Sequence, residues 1–364
     1  MSGFNILGLN EDYEIVQPFK ASNLQWNRKY HESGNFILQI PPSQFSNDVK
    51  YIYTNDRPEM GIIKKKTYLS VKNKSYIILS GPMLESELSR MIVYPKGDTN
   101  ITNSPSWEYR EGNAEDVAFA FFNAFKRLET SSIVVDIGID SGTSQGRGSQ
   151  VKHYRNGEQI EDLGYKIYDI LKPSGMSWRI SYDLDDNTRV FNVWSGKDRT
   201  QDNTGGNNPV VFSTKFGNIT KPNIVLDETD YKNGCIVIHE TVNNDVSSFT
   251  VRVVFNDDTD DRNLTYLRSG LNKSEYTTQQ FYEAMDQEGE NELKEDIKTI
   301  NLEFDAMPGS YVYREDFDLG DLCSIEIAEM GITADMRLIG CYEVMKEGKW
   351  KMSMEFGTPI NLHI

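Results

Sequence analysis

Cysteine and histidine are scarce in this sequence of 364 residues, which contains three cysteines and four histidines. The cysteines are odd in number and far apart, at Cys235, Cys323 and Cys341, a pattern that does not fit a disulfide framework. The histidines offer no zinc-ligand spacing, since no two of them lie within one helical turn. We therefore expect free thiols, no bound metal and no cofactor.

Excess positive charge and long apolar runs are also lacking. Lys and Arg number 38 against 55 Asp and Glu, and the formal net charge of −17 argues against tight binding to nucleic acid or to an anionic membrane. The densest apolar stretch, residues 117–125, contains Asn123 and is too short to span a bilayer. The N-terminal residues lack the basic and apolar segments of a secretory signal. We expect no membrane-spanning segment and assembly in a cytoplasm.

Alternation of apolar and polar residues with a period of two recurs along the chain and predicts short strands. In residues 35–40, for example, Phe36, Leu38 and Ile40 share one face, and two prolines end the strand. A hairpin is predicted over residues 178–194, with its turn at 183–187. Further strands are predicted at 235–240 and 249–255, and from 325 to 356.

Apolar residues at helical spacing predict a helix that begins after Asn113, a favourable N-cap residue. A second helix is predicted over 162–171, before Pro173. Residues 277–294 are predicted to form one long helix or two short ones, with Gly289 as a possible break. The combined pattern predicts a β-rich α+β protein.

The segment 94–107 is rich in Pro, Gly, Asn, Ser and Thr, which predicts a long loop at a domain boundary. We accordingly expect an N-terminal β domain in residues 1–107. A mixed α+β inserted domain is expected in residues 108–225. A second β domain is expected in residues 226–364, with a helical insertion around 277–300.

Three polar clusters are candidates for chemistry, and none has a recognised spacing. The acidic residues 257–261 lack the Gly and the Glu of an EF-hand loop. The glycines of 141–149 lack the Gly-Lys-Ser/Thr ending of a phosphate-binding loop. Pairs such as Asp136 with Asp140, or Asp183 with Asp185, have the residue type of glycosidase carboxylates, although abundant carboxylates also pair by chance. A β-rich, cell-wall-degrading enzyme that uses paired carboxylates therefore remains the alternative function.

Three stretches of the chain together resemble phage tail hub proteins, which are also called baseplate hub or tail-tip proteins. The first combines residues 24–28 (LQWNR) with 34–41 (GNFILQIP), and the second combines residues 211–213 and 216–219 with 233–234. The third and most specific stretch is residues 316–325 (DFDLGDLCSI), followed by a strand with Arg337 and a closing strand. The chain is on this basis similar to the hubs of long-tailed phages and of phage-tail-like particles.

The resemblance also singles out a structural motif, a turn followed by a closing strand. Glycine between two aspartates can take a positive φ, which favours a turn there. The resemblance implies that this motif shapes a β-barrel and carries no catalysis. Its residues are Asp318, Leu319, Gly320, Asp321, Arg337, Phe356 and Gly357.

The resemblance implies a homotrimer in which each subunit contributes two small β-barrels, from residues 1–107 and 226–364, to a ring with pseudo-sixfold symmetry. The expected function is structural and non-enzymatic: the hub joins the tail tube to the tail tip and forms part of the channel. The expected partners are a tail tube or distal tail protein, a tape-measure protein, and a central spike or tail-fibre protein. The expected location is the virion tail, assembled in the cytoplasm of the bacterial host. Because the sequence ends soon after the closing strand, we expect any lytic activity to come from another protein.

Overall fold

The structure is a computed structural model that describes residues 5–21, 23–54, 57–71, 74–93, 107–129, 134–156, 161–243, 246–256, 261–295, 299–306, 310–346, 348–357 and 361–363. Its contacts divide the chain into unit 1, Met1–Pro222 with Glu303–Ile364, and unit 2, Asn223–Leu302. The β-rich α+β class is confirmed. The three-domain division stays a prediction, and most of the loop 94–107 and of the acidic segment 257–261 lies outside the described residues.

The N-terminal part of unit 1 consists of short strands. They are β1 (Ile6–Leu9), β2 (Ile15–Phe19), β3 (Asn23–Lys29), β4 (Asn35–Ile40), β5 (Tyr51–Thr54), β6 (Met60–Ile62), β7 (Lys65–Val71), β8 (Lys74–Pro82) and β9 (Ile92–Val93). The predicted alternation in β4 is confirmed, because Phe36, Leu38 and Ile40 are buried. Short 3-10 helices lie at Pro42–Gln44 and Leu84–Arg90.

The middle part of unit 1 is mixed. Its helices are α1 (Ala114–Phe125) and α2 (Leu163–Leu171), and 3-10 helix Lys172–Ser174 follows α2. Its strands are β10 (Trp107–Asn113), β11 (Arg127–Glu129), β12 (Val134–Asp136), β13 (Asp140–Ser141), β14 (Gln150–Asn156), β15 (Glu161–Asp162), β16 (Ser177–Asp183), β17 (Thr188–Trp194), β18 (Asp198–Arg199) and β19 (Val211–Ser213). The hairpin predicted over 178–194 is confirmed as β16 and β17.

Aromatic side chains fill the core between the helices and the hairpin. The rings of Phe122 and Phe191 stack with centroids 4.2 Å apart, and Trp178 packs beside them. Asn113 is the N-cap residue of α1, but its side chain donates to the Gly146 carbonyl at 2.8 Å instead of capping the helix. Glu115 in the first turn accepts hydrogen bonds from the Arg147 side chain. These bonds hold the loop that contains Gly146 against the helix.

Unit 2 is a three-stranded sheet covered on one face by a helix. The elements here are β20 (Ile219–Asp227), β21 (Gly234–Asn243), β22 (Val246–Phe255), β23 (Leu264–Arg268), α3 (Thr278–Glu295) and β24 (Thr299–Ala306). The strands β20 and β24 carry the chain across the unit boundaries, and the sheet order is β22-β21-β23. The α3 helix is continuous through Gly289, where a Cβ would lie 2.6 Å from a methyl group of Val254. Close packing therefore accounts for this glycine, and the helix has no break there. A 3-10 helix, Lys273–Glu275, precedes α3.

The C-terminal part of unit 1 consists of strands, one of which pairs with the N-terminal strand β3. Its strands are β25 (Leu322–Ile327), β26 (Ile332–Lys346), β27 (Lys349–Phe356) and β28 (Asn361–His363), and a 3-10 helix lies at Ala328–Met330. The main sheet has the order β20-β24-β27-β26-β3-β4-β8-β7, and β25 adds the short strands β18 and β19. Antiparallel pairing of β26 with β3 places Cys341 opposite Arg28. Within the described residues this path does not close into a barrel.

No helix in the described part of the chain has both the length and the apolar character needed to cross a bilayer.

Candidate functional site

The turn predicted at residues 318–321 immediately precedes β25. Gly320 has a φ of 88°, and its amide donates to the Leu338 carbonyl at 2.8 Å. Arg337 Nη1 donates to the Gly320 carbonyl at 2.6 Å. A Cβ on Gly320 would lie 2.4 Å from a ring carbon of Tyr30. Glycine is therefore required here both by the backbone conformation and by the close approach of the ring.

Asp321 closes the turn with a buried carboxylate. Its Oδ2 accepts from the Asp318 amide at 3.0 Å and from Arg199 Nε at 2.7 Å, and its Oδ1 accepts from the Lys197 amide at 2.6 Å. A buried charge is tolerated when it is paired and hydrogen-bonded, and both conditions are met. The carboxylate thereby fixes the segment that contains β18 to the turn.

Arg28 is the centre of a buried ionic network. The residue is 2% exposed, and its Nε donates to Glu59 Oε1 at 2.7 Å while Nη1 donates to Asp318 Oδ1 at 2.8 Å. Nη1 also donates to the Tyr313 hydroxyl. We call Arg28, Glu59, Tyr313 and Asp318 the Arg28 network; it ties an N-terminal strand to the turn almost three hundred residues later.

The charges of the Arg28 network stabilise each other. Burial lowers the pKa of Arg28, but the Glu59 carboxylate and its neighbours outweigh that effect and raise the pKa. Burial likewise raises the pKa of Asp318, and the Arg28 guanidinium outweighs it, so the pKa of this carboxyl lies below its usual range. Both groups are therefore charged at neutral pH, and the Arg28 guanidinium is what favours the ionised form of Asp318 despite its burial.

A second buried ion pair lies beside the Arg28 network. Arg57 donates to both carboxylate oxygens of Glu343, with Nε–Oε2 and Nη2–Oε1 distances of 3.1 and 2.5 Å. The Cζ atoms of Arg28 and Arg57 each lie 5.9 Å from the centroid of the Tyr313 ring. Residues 28, 57 and 343 thus bring the two ends of the chain into one polar cluster.

The closing-strand residues lie close to the turn. The Gly357 amide donates to the Arg337 carbonyl at 3.0 Å, so Gly320, Arg337 and Gly357 are linked by two hydrogen bonds. Phe356 is fully buried and stacks on Phe304, with ring centroids 5.2 Å apart. Leu319 is also buried. These hydrogen bonds bring the turn, Arg337 and the closing strand together, and Leu319 and Phe356 contribute buried side chains.

Sequence reasoning missed two partners of Arg28, Glu59 and Tyr313. It also missed the adjacent Arg57–Glu343 ion pair. One signal was available, because Leu24, Trp26 and Arg28 alternate along β3 and share its buried face. An arginine in an otherwise apolar series indicates a buried charge that needs a partner. The identity of that partner could not be read from the sequence.

Two of the carboxylates weighed as glycosidase residues, those of Asp183 and Asp136, serve local turns. Asp183 Oδ1 accepts from the amides of Asp185 and Asp186 at 2.9 and 3.2 Å, which shapes the hairpin turn. Asp136 accepts from the Gly138 amide at 2.7 Å. The described residues contain no group of three or more His, Cys, Asp or Glu side chains that could hold a metal ion.

Comparison with known proteins provides the family. No curated protein sequence matches the chain. The profile of the family described as Siphovirus ReqiPepy6 Gp37-like protein matches residues 6–358. The chain belongs to this family.

Solved structures extend the comparison at the level of fold. The Gp37-like chain is similar to a 43 kDa tail protein of prophage MuSo2 from Shewanella oneidensis, with 13% identity, a TM-score of 0.61, and coverage of 97% and 98% of the two chains. It is also similar to a tail protein from Neisseria meningitidis MC58, with 13% identity, a TM-score of 0.56, and coverage of 99% and 97%. The prophage tail protein gp18 from Listeria monocytogenes EGD-e gives 10% identity, a TM-score of 0.52, and coverage of 97% and 94%. The predicted resemblance to phage tail proteins is confirmed.

Proposed function

We propose that this protein is the structural hub of a phage tail, where it joins the tail tube to the tail tip and forms part of the channel. The observation that carries the proposal is the family match over residues 6–358. The fold shared with prophage tail proteins over nearly the whole chain supports it. The location that follows is the virion tail, assembled in the cytoplasm of the bacterial host.

The proposed assembly is a homotrimer in which residues 1–107 and 226–364 supply the β domains of a pseudo-sixfold ring of small barrels, and residues 108–225 are inserted between them. The edge of the main sheet at β7 supports association. No described strand pairs with its outer side, and Tyr68, Leu69 and Val71 are exposed there. An exposed apolar edge strand is a liability in a monomer, and contact with a neighbouring subunit removes it.

The proposed role in the channel is passive. The net charge of −17 per chain would be tripled in a trimer, which disfavours retention of a polyanion. The basic run at Lys64, Lys65 and Lys66 is partly balanced, since Lys64 Nζ lies 3.9 Å from Glu87. We propose that DNA or an effector passes without tight binding, and that the acidic excess serves this passage.

The proposed neighbours are a tail tube or distal tail protein, a tape-measure protein, and a central spike or tail-fibre protein. We propose no enzymatic activity, and the proposal is supported by one aspartate of each candidate pair, Asp183 and Asp136, whose carboxylates shape local turns. Purified protein incubated with purified cell wall tests this directly. Release of soluble fragments, abolished by Asp183→Asn but retained by a surface control such as Asp12→Asn, would favour the carbohydrate-active alternative.

A further inference from the structure

A small cleft in unit 1 has two buried glutamates among its lining residues. Glu59 immediately precedes β6, and Glu85 lies in the 3-10 helix Leu84–Arg90; the two residues are 6% and 5% exposed. Arg28 lines one side of the cleft, and Arg179 lines it from β16. The free space among these groups suits about one water molecule.

The oxygens of the two carboxyl groups have unequal partners. Arg28 uses both Nε and Nη2, at 2.7 and 2.6 Å, on the same oxygen of Glu59, Oε1. The Ile180 amide donates to Glu85 Oε1 at 3.4 Å. Within the described residues, Oε2 of Glu59 and Oε2 of Glu85 are buried and have no partner. A buried oxygen without a donor is costly, so these two atoms need a proton or a water molecule.

The surrounding charges do not supply that donor. Arg28 is already engaged by Glu59 and Asp318, and none of the described cations forms an ion pair with Glu85. The Nε of Arg179 is itself buried without a partner. The described ionisable groups that face the cleft from the surrounding elements, or reach it through Arg28, are Arg28, Lys29, Glu32, Glu59, Glu85, Tyr168, Arg179, Tyr313 and Asp318.

We propose that Glu85 is held as a neutral carboxylic acid that shares its proton with Glu59 through one enclosed water molecule, and that loss of this proton destabilises unit 1. The neutral acid donates to the water molecule, and the water molecule donates to Oε2 of Glu59, so both unpartnered oxygens gain a hydrogen-bond partner. Ionisation sends the proton to solvent and leaves two carboxylates lining one small space, where Arg28 is already paired with Glu59 and Asp318. The packing of the 3-10 helix, β16 and the Arg28 network around the cleft then depends on the protonation state of Glu85.

The electrostatics agree with this geometry. Burial, and after it the charge of Glu59, raises the pKa of Glu85 from 4.5 to about 7. A carboxyl whose pKa is higher in the folded state binds more protons there than in the unfolded state. Its contribution to stability is therefore complete below pH 4.5 and is lost as the pH rises through about 7. From pH 6 to pH 8 the folding equilibrium constant is expected to fall roughly tenfold from this group.

The test compares the wild-type protein with Glu85→Gln in urea unfolding at several pH values. Glutamine keeps the shape and the donor of the neutral acid but cannot ionise, so the variant should lose this tenfold fall. The matched control is Glu32→Gln, which alters an exposed glutamate of the same cleft and should keep the wild-type pH dependence. Equal pH dependence of the wild type and Glu85→Gln would overturn the proposal.

A second measurement on the wild-type protein decides the matter if Glu85→Gln does not fold. Infrared difference spectroscopy with 13C-labelled glutamate detects the carbonyl stretch of a neutral carboxylic acid. We expect this band at pH 6, with its proton protected from rapid exchange with D2O. We expect the band to disappear as the pH is raised to 9. Absence of the band at pH 6 would contradict the shared proton.

Discussion

Replacement of Gly320 by valine tests whether glycine is required in the turn, both by its positive φ and by the nearby Tyr30 ring. The φ of 88° is unfavourable for a β-branched residue, and the new Cβ would lie 2.4 Å from Tyr30 Cε2. Tyr30 cannot easily withdraw. It is fully buried, its hydroxyl donates to the Gly175 carbonyl at 2.9 Å, and its ring packs edge-on against Trp194.

The expected loss of stability has two separable parts. The backbone conformation costs about 1–3 kcal/mol for a residue with a side chain, and overpacking against the Tyr30 ring costs about 1–3 kcal/mol more. Gly331→Val isolates the first part, since Gly331 has a similar φ of 68° and no atom lies within 4 Å of its added Cβ. We therefore expect Gly320→Val to lower the free energy of unfolding by about 2–6 kcal/mol and the control to lower it by about half as much.

The assay is urea-induced unfolding followed by far-ultraviolet circular dichroism on both variants. The double variant Tyr30→Ala with Gly320→Val should show a coupling energy, because removal of the ring removes the clash. Equal losses for Gly320→Val and Gly331→Val would refute the role of Tyr30. Wild-type stability in Gly320→Val would refute the account of the turn itself.

Two further predictions concern buried charge and nucleic acid. Arg28→Met should lower the free energy of unfolding in urea by about 3–5 kcal/mol, because it leaves Glu59 and Asp318 without their cation. The control Arg127→Met, at an exposed ion pair, should lower it by about 0–1 kcal/mol. Similar losses for the two variants would contradict the stabilising role of the Arg28 network. In a mobility-shift titration at about 0.15 M salt, duplex DNA should stay free at micromolar protein, and retention would contradict the passive channel.

Local patterns in the sequence predicted much of the secondary structure because they need only neighbouring residues. Phe36, Leu38 and Ile40 alternate, so β4 could be placed within a residue, and the hairpin of β16 and β17 followed from the same period. The glycine turn could be predicted because glycine between two aspartates has few other uses. Gly289 left one long helix and two short helices open as alternatives, because a helix glycine can serve close packing, here against Val254, as well as a break.

Long-range pairing could not be predicted. The register that sets Cys341 of β26 opposite Arg28 of β3 depends on strands about three hundred residues apart, and no local signal encodes it. The ion pair of Arg28 with Asp318 could not be predicted for the same reason, because the two residues are 290 positions apart in the sequence. The side-chain partner of Asn113 could not be predicted either. The side chain donates to the Gly146 carbonyl, which is within reach only when the loop is folded onto α1.

Cryo-electron microscopy of the tail tip is the measurement that tests the hub most directly. Particles carrying a small epitope tag on this protein, decorated with an antibody fragment, give both its position and its copy number. The account predicts density at the junction between tube and tip, around the channel, in three copies or a multiple of three. Labels elsewhere on the particle, or a copy number that is not a multiple of three, would contradict it.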